Sequence, residues 1–259
     1  MATRDSPVEI PVDGRRIPGT LVAPATAVPG FLIVQGWGSG QEQYLARARE
    51  IAALGCVCLT LEPRGVARDH PEHETVSREE NLRDLLAAHD LLAGQEAVDA
   101  SAIGVVGSSY GGYLAAVLSS LRPVRWLALR VPALYRDEDW ALPKRGLDRE
   151  ELAAYRRSPV GAAENRALGA CAAFGGDVLV VESEHDDVVP HQAIANYVAA
   201  FERAHSLTYR VIAGADHGLS EEPWQQAYTS LLVTWATEMV LGAREGGAAR
   251  GAHTRLRPA

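Results

Sequence analysis

The sequence predicts an α/β fold: a doubly wound, mostly parallel sheet preceded by an N-terminal antiparallel hairpin. Six short apolar runs recur along the chain, at 31–34, 57–61, 103–106, 127–129, 178–181 and 209–212, each of strand length and several ending near glycine. Continuous apolar runs of this kind suit strands buried on both faces of a parallel sheet. Segments with helical periodicity lie between them, and strand–helix alternation implies right-handed crossovers. The 259 residues, 47% of them apolar, are enough for one large domain.

The elements follow in order. Val8–Val12 and Ile17–Ala23 flank Asp13-Gly14, a hairpin turn signal. Pro7, Pro11 and Pro18 cannot donate to a central ladder, so the hairpin is expected at a sheet edge. Helical stripes come next: Tyr44, Ala48 and Ile51, then Leu82, Leu85, Leu86 and His89, then Leu114, Ala115, Leu118 and Leu121. Ile194, Tyr197, Val198 and Phe201 form a fourth, and the stripe from Trp224 to Met239 is the longest. Residues 133–176 are too long for an ordinary connection and are expected to form a small helical cap or an elaborated crossover. A single domain is expected over 1–242, with a loose Gly/Ala/Arg-rich tail over 243–259.

Composition excludes several classes of function. The formal net charge of −8 supplies no electrostatic footprint for a phosphate backbone, so no nucleic-acid partner is expected. No run is long enough to span a bilayer, and the N-terminus does not read as a secretion signal, so a soluble, cytoplasmic setting is expected. Cys56, Cys58 and Cys171 form neither a disulfide framework nor a metal-ligand spacing. No metal and no cofactor are expected. Homo-oligomer formation is left open.

The chemistry concentrates at Gly107-Ser108-Ser109-Tyr110-Gly111. Two glycines and a serine at these offsets arise by chance in about one chain in ten of this length. Here, however, the match follows the 103–106 strand and precedes the 114–121 helix, as a nucleophile at a sharp strand-to-helix turn requires. Ser109 is the candidate nucleophile, and Ser108 sits one residue early. A serine hydroxyl needs a base. Of eight histidines, His217 follows the last strand and can lean over the C-terminal edge of a parallel sheet, where ligands bind. The base needs an orienting carboxylate. Asp186 is the first choice and Asp187 the second, in the acidic turn after the 178–181 strand. Two backbone N–H groups should hold the oxyanion: that of Tyr110 and that of Trp37 in the Gln35-Gly36-Trp37-Gly38 loop.

Together GSSYGG, ESEHDDVVP, GADHG and the upstream QGWGSG resemble the α/β-hydrolase superfamily of serine hydrolases. The Ser-Tyr-Gly-Gly run is most similar to the branch of prolyl oligopeptidase, acylaminoacyl peptidases and dienelactone hydrolase-like proteins. Many members carry His-Gly where this chain has Gln35-Gly36, so side-chain hydrogen bonding in that loop must differ. The resemblance implies a Ser109–Asp186–His217 triad that cleaves a small-molecule acyl substrate, a small carboxylic ester first of all, through an acyl-enzyme. Thioester, lactone or amide cleavage, acyl transfer, and a non-catalytic binding role are the alternatives. Trp37, Tyr135 and Trp140 are candidate substrate contacts. Arg130, at a strand end, either pairs with Glu62 or an acid of 137–139, or meets a substrate carboxylate.

Overall fold

The computed structural model describes residues 3–12, 15–24 and 27–254, with side chains described from 27 to 242. Strands β1 (Thr3–Val12) and β2 (Arg15–Pro24) form the expected antiparallel hairpin, in register from Thr3 opposite Pro24 to Val12 opposite Arg15. Its turn, Asp13-Gly14, lies outside the described residues. The hairpin is a separate two-stranded sheet and not an edge of the main one. Prolines in both strands remove the N–H donors with which a strand would extend a neighbouring ladder.

The main sheet contains β3 (Val28–Val34), β4 (Val57–Leu61), β5 (Val98–Ser108), β6 (Trp126–Arg130), β7 (Asp177–Ser183) and β8 (Ser206–Ile212). Every pairing is parallel, in the order β4-β3-β5-β6-β7-β8. The chain runs outward from β3 to β4, then crosses back to β5 on the other side of β3. The loops after β3 and β5 therefore diverge at the reversal point, where a crevice opens at the carboxyl ends of the strands.

Helices cover both faces. Helix α1 (Glu42–Ala53) packs with the last helix, α7 (Glu222–Thr254), on one side. On the other lie α2 (Arg78–Ala93), α3 (Tyr110–Leu118), α5 (Arg166–Ala173) and α6 (His191–Ala200). Two apolar clusters result, one beneath each layer, containing Leu32, Val105, Leu114 and Leu168 on one face and Phe31, Ile33, Trp126 and Trp235 on the other. Adjacent residues of β3 thus feed opposite cores, which is why the 31–34 run is apolar at every position.

The 133–176 segment is an elaborated crossover. It contains a 3₁₀ turn (Lys144–Gly146), α4 (Arg149–Arg156), a second 3₁₀ turn (Ala162–Glu164) and α5, which packs on α3. Asp148 caps α4 by accepting from Glu150 and Glu151 N–H, and Asn165 caps α5 by accepting from Ala167 and Leu168 N–H. Such caps satisfy donors at each helix start. Ser77 and Glu80 form a reciprocal capping box at the head of α2. Helix α7 continues past Gly242 into the segment expected to be a loose tail. The alanines, arginines and glutamate of this stretch favour a helix, while Gly246, Gly247 and Gly251 oppose it, which is why the composition reads as a loose tail.

Candidate active site

The site is built from four loops at the carboxyl edge of the sheet. Ser109 occupies the junction between β5 and α3 with φ 52° and ψ −115°, outside the regions a side-chain-bearing residue prefers. Such a conformation stores about 1–3 kcal/mol and persists only where the surroundings enforce it. The flanking glycines explain how. A Cβ on Gly111 would lie 2.4 Å from the Gln35 carbonyl oxygen, and one on Gly107 would lie 2.5 Å from the Gly111 carbonyl oxygen. Neither position has room for a side chain. Ser109 N–H donates to the Arg130 carbonyl, and the Ser109 carbonyl accepts from Ala133 N–H, so β6 braces the turn. Ser108 points away from the crevice, is buried, and its hydroxyl meets Tyr228.

His217 reaches across from the loop after β8. Its Nε2 is 3.0 Å from Ser109 Oγ, and its Nδ1 is 2.7 Å from Asp186 Oδ2. An ionised carboxylate can only accept, so Nδ1 carries the proton and Nε2 is left free to accept from the serine. The Asp186 side chain is 3% exposed, and its Oδ1 accepts from Val188 and Val189 N–H. Asp187, the second choice, is exposed and makes none of these bonds. Glu184, which reads as a plain turn residue, accepts from Gly214 N–H at 2.7 Å, and His185 N–H donates to the Ala215 carbonyl. The acidic loop and the histidine loop are thereby tied together.

The loop after β3 supplies the opposite wall. Gly36 N–H donates to Tyr44 Oη at 3.0 Å, and Ser39 Oγ donates to the Gly36 carbonyl at 2.7 Å. Gly36 N–H is thus consumed, whereas Trp37 N–H meets no acceptor among the described residues. Tyr110 N–H, at the first position of α3, has no intrahelical acceptor. These are the two expected oxyanion donors. The Tyr110 phenol donates to Asn81 Oδ1 at 2.7 Å, and burial holds it well above the usual tyrosine range, so it remains a neutral donor. Gln35 lies buried, and its side-chain amide has no partner among the described residues.

The remaining expected contacts are placed differently. Arg130 meets neither a substrate-facing cavity nor Glu62 nor the acids of 137–139. It is 6% exposed, its Nη2 donates to the His217 carbonyl at 2.7 Å, its Nη1 donates to Ser183 Oγ at 3.3 Å, and it lies over the Tyr228 ring. Desolvation lowers its pKa, yet an arginine stays charged at any working pH. Arg130 braces the His217 loop from below. Arg130→Met should leave the His217 carbonyl unpaired and lower stability by about 1–3 kcal/mol. It should also slow neutral and anionic substrates by the same factor. Thermal melts and kcat/KM on a neutral and an anionic substrate check this, and selective loss of the anionic one would contradict it.

Tyr135 and Trp140 belong to an aromatic chain, Trp37–Tyr110–Tyr135–Tyr113–Trp140, with ring centroids 4.7 to 6.4 Å apart once the His73 ring on Trp37 is included. Tyr135 is 1% exposed, and the guanidinium of Arg166 covers Trp140 at 4.0 Å. Large aromatics pack this way for area burial, with edge-to-face geometry. Both support the site from behind. Of the five Trp and Tyr rings, Trp37 alone lines two described cavities of about 420 and 220 Å³, the first of them together with His73. A larger groove of about 520 Å³, lined by α7 residues and Glu50, holds none of the expected site residues.

A parallel sheet with a strained serine turn at its reversal point, and with histidine and aspartate loops converging on it, is the architecture of the α/β-hydrolase superfamily, and this chain is one of its serine hydrolases. A profile of the prolyl oligopeptidase family matches residues 43–242, and the chain belongs to that family. No curated protein matches it by sequence. Among solved structures it is similar to carboxyl esterase 2 of the fungus Tuber melanosporum, at 18% identity over 92% of this chain and 87% of that one, TM-score 0.60. Dienelactone hydrolase from Anabaena variabilis matches at 18% identity over 90% and 96% of the two chains, TM-score 0.55. Dipeptidyl peptidase 4 of Porphyromonas gingivalis matches at 18% identity and TM-score 0.59, over 91% of this chain but 35% of the peptidase. Among the described residues no helix is long and apolar enough to cross a membrane.

Proposed function

We propose that this chain hydrolyses small carboxylic esters through an acyl-enzyme formed on Ser109. The observation that supports this is the hydrogen-bonded relay from Ser109 Oγ through His217 to Asp186, at 3.0 and 2.7 Å. Ser109 Oγ attacks the ester carbonyl carbon while its proton passes to His217 Nε2. Asp186 stabilises the imidazolium and keeps the ring in register. The carbonyl oxygen, now an oxyanion, is held by the N–H groups of Trp37 and Tyr110. Collapse breaks the bond to the alcohol, which leaves with the proton from His217. Water then repeats the sequence on the acyl-enzyme and frees the acid. Each role needs only the geometry above and water.

Family membership favours a second reading, cleavage of an aminoacyl amide bond by the same groups. The first is preferred because the esterase and dienelactone hydrolase structures align with this chain over nearly their whole length, while the peptidase aligns over a third of its own. A fluorophosphonate should label Ser109, as peptide mapping would show, and 4-nitrophenyl acetate should turn over much faster than an aminoacyl 4-nitroanilide. Absence of labelling in the folded protein would point to a non-catalytic binding role. Faster anilide cleavage would establish the second reading.

A further inference from the structure

The two cavities beside Trp37 are lined with cations. One is bounded by Trp37, Gly38, Arg68, His73, Glu74 and Arg145, the other by Trp37, Lys144, Arg145, Leu147, Arg149 and Leu152. Four cations thus face one carboxylate, Glu74, which Arg145 already holds at 3.1 Å. This concentration of positive charge stands out in a chain with formal net charge −8. Among the described residues Arg68, Lys144 and Arg149 have no ion-pair partner. Cationic side chains at a surface usually find one at little cost, so three unpaired together around one indole form a field with no internal counter-charge.

Lys144 is the centre of this arrangement. It is the only lysine among 25 basic residues. Its ammonium lies 4.7 Å from the ring centroid of Trp37, the residue whose N–H is proposed above to hold the oxyanion. The segment that carries it is fastened. Pro143 bridges Ser77, Lys144 N–H donates to the Val76 carbonyl, and Arg145 grips Glu74. The backbone that carries Lys144 is therefore fixed beside Trp37. Arg68 closes the far side, its Nε packed against Gly38. Behind Lys144, the buried guanidiniums of Arg78 and Arg156 lie 5.1 and 4.9 Å from the Tyr135 ring without a carboxylate. Two nitrogens of Arg78 have no partner among the described residues. Burial, with the neighbouring charges of Arg156, Arg78 and Arg145, holds the Lys144 amine below the usual lysine range, as expected for a cation lacking an anion.

We propose that these cavities form a subsite for an anionic oxygen group of the substrate, with the Lys144 ammonium as its main contact and Arg68 and Arg149 flanking it. The natural substrate is then an ester bearing a carboxylate or an equivalent oxyanion a few bonds from the scissile carbonyl. This rests on the hydrolase reading above, because it is their shared wall, Trp37, proposed there as an oxyanion donor, that makes the cavities part of a substrate site. It also replaces Arg130, whose guanidinium is spent on the His217 loop, as the source of any preference for anions.

Two isosteric ester pairs test the subsite. 4-Nitrophenyl hydrogen glutarate and 4-nitrophenyl valerate differ in a carboxylate for a methyl on the acyl side. 4-Acetoxybenzoate and its methyl ester differ on the leaving-group side. In the wild type the anionic member of at least one pair should be preferred. That ratio of kcat/KM values should fall about tenfold in Lys144→Met, mainly through KM, and be largely kept in Lys144→Arg. The pair that responds identifies the side on which the anion sits. An unchanged ratio in both pairs overturns the proposal. A second readout does not depend on turnover. Acetylation of Lys144, mapped by mass spectrometry in Ser109→Ala protein, should be slowed by glutarate and not by glutaramide. If no ester is turned over, the hydrolase reading fails, and this protection alone decides the subsite: equal labelling with both compounds overturns it.

Discussion

Ser109→Ala is expected to lower kcat for ester hydrolysis by about 10⁴-fold or more while the fold survives. The hydroxyl is the one atom lost, and the substitution leaves the turn's clashes and braces as they were. Alanine meets the same backbone strain at φ 52° as serine does, so stability should change little. The residual rate should come from the Trp37 and Tyr110 N–H groups and from binding, which act without a nucleophile. Circular dichroism and a thermal melt establish that the variant is folded, and burst kinetics with 4-nitrophenyl acetate establish whether an acyl-enzyme still forms. Activity within tenfold of wild type would remove Ser109 from the mechanism. Ser108→Ala, whose hydroxyl faces Tyr228 and not the crevice, is the control.

Asp186→Asn should cost about 10⁴-fold in kcat, and Asp187→Asn less than tenfold. The asymmetry follows from geometry. Asp186 Oδ2 receives the His217 Nδ1 proton at 2.7 Å from a nearly solvent-free position, whereas Asp187 is exposed. An asparagine at 186 keeps an oxygen for the Val188 and Val189 N–H groups, so the loop should hold its shape. The amide can present an N–H toward the ring, which favours the tautomer with the proton on Nε2 and so unable to accept from serine. Single-turnover kinetics on both variants, with melting temperatures, separate loss of chemistry from loss of fold. Equal losses at the two positions would mean that both carboxylates orient the imidazole.

Much of this architecture is local in origin and therefore readable in one dimension. Strands appear where apolar residues run on without alternation, because both faces of the sheet are covered. Helices appear where the apolar period is 3.6, and the caps that the structure adds at Ser77, Asp148 and Asn165 bond to N–H groups only two or three residues ahead. The serine turn is legible because its strain demands glycine on either side, at 107 and 111, between a strand and a helix. The order of serine, aspartate and histidine loops follows from the order of strands. By contrast, whatever depended on which groups meet across the fold stayed hidden. Arg130 looks like a ligand contact or half of an ion pair, yet its partner is a backbone carbonyl 87 residues away. Tyr135 and Trp140 look like pocket walls, yet Tyr135 is core and Trp140 is half-buried against it under Arg166. Lys144 carries no motif at all. It acquires a place only when the crossover segment docks on the loop before α2 and sets the chain's one ammonium over Trp37. Periodicity and capping act between neighbours a few residues apart, and so the sequence alone determined the elements and the nucleophile turn. Charge and hydrogen-bond partners are chosen by distance in space, and so only the tertiary structure decided which cation braces the histidine and which ones gather around Trp37.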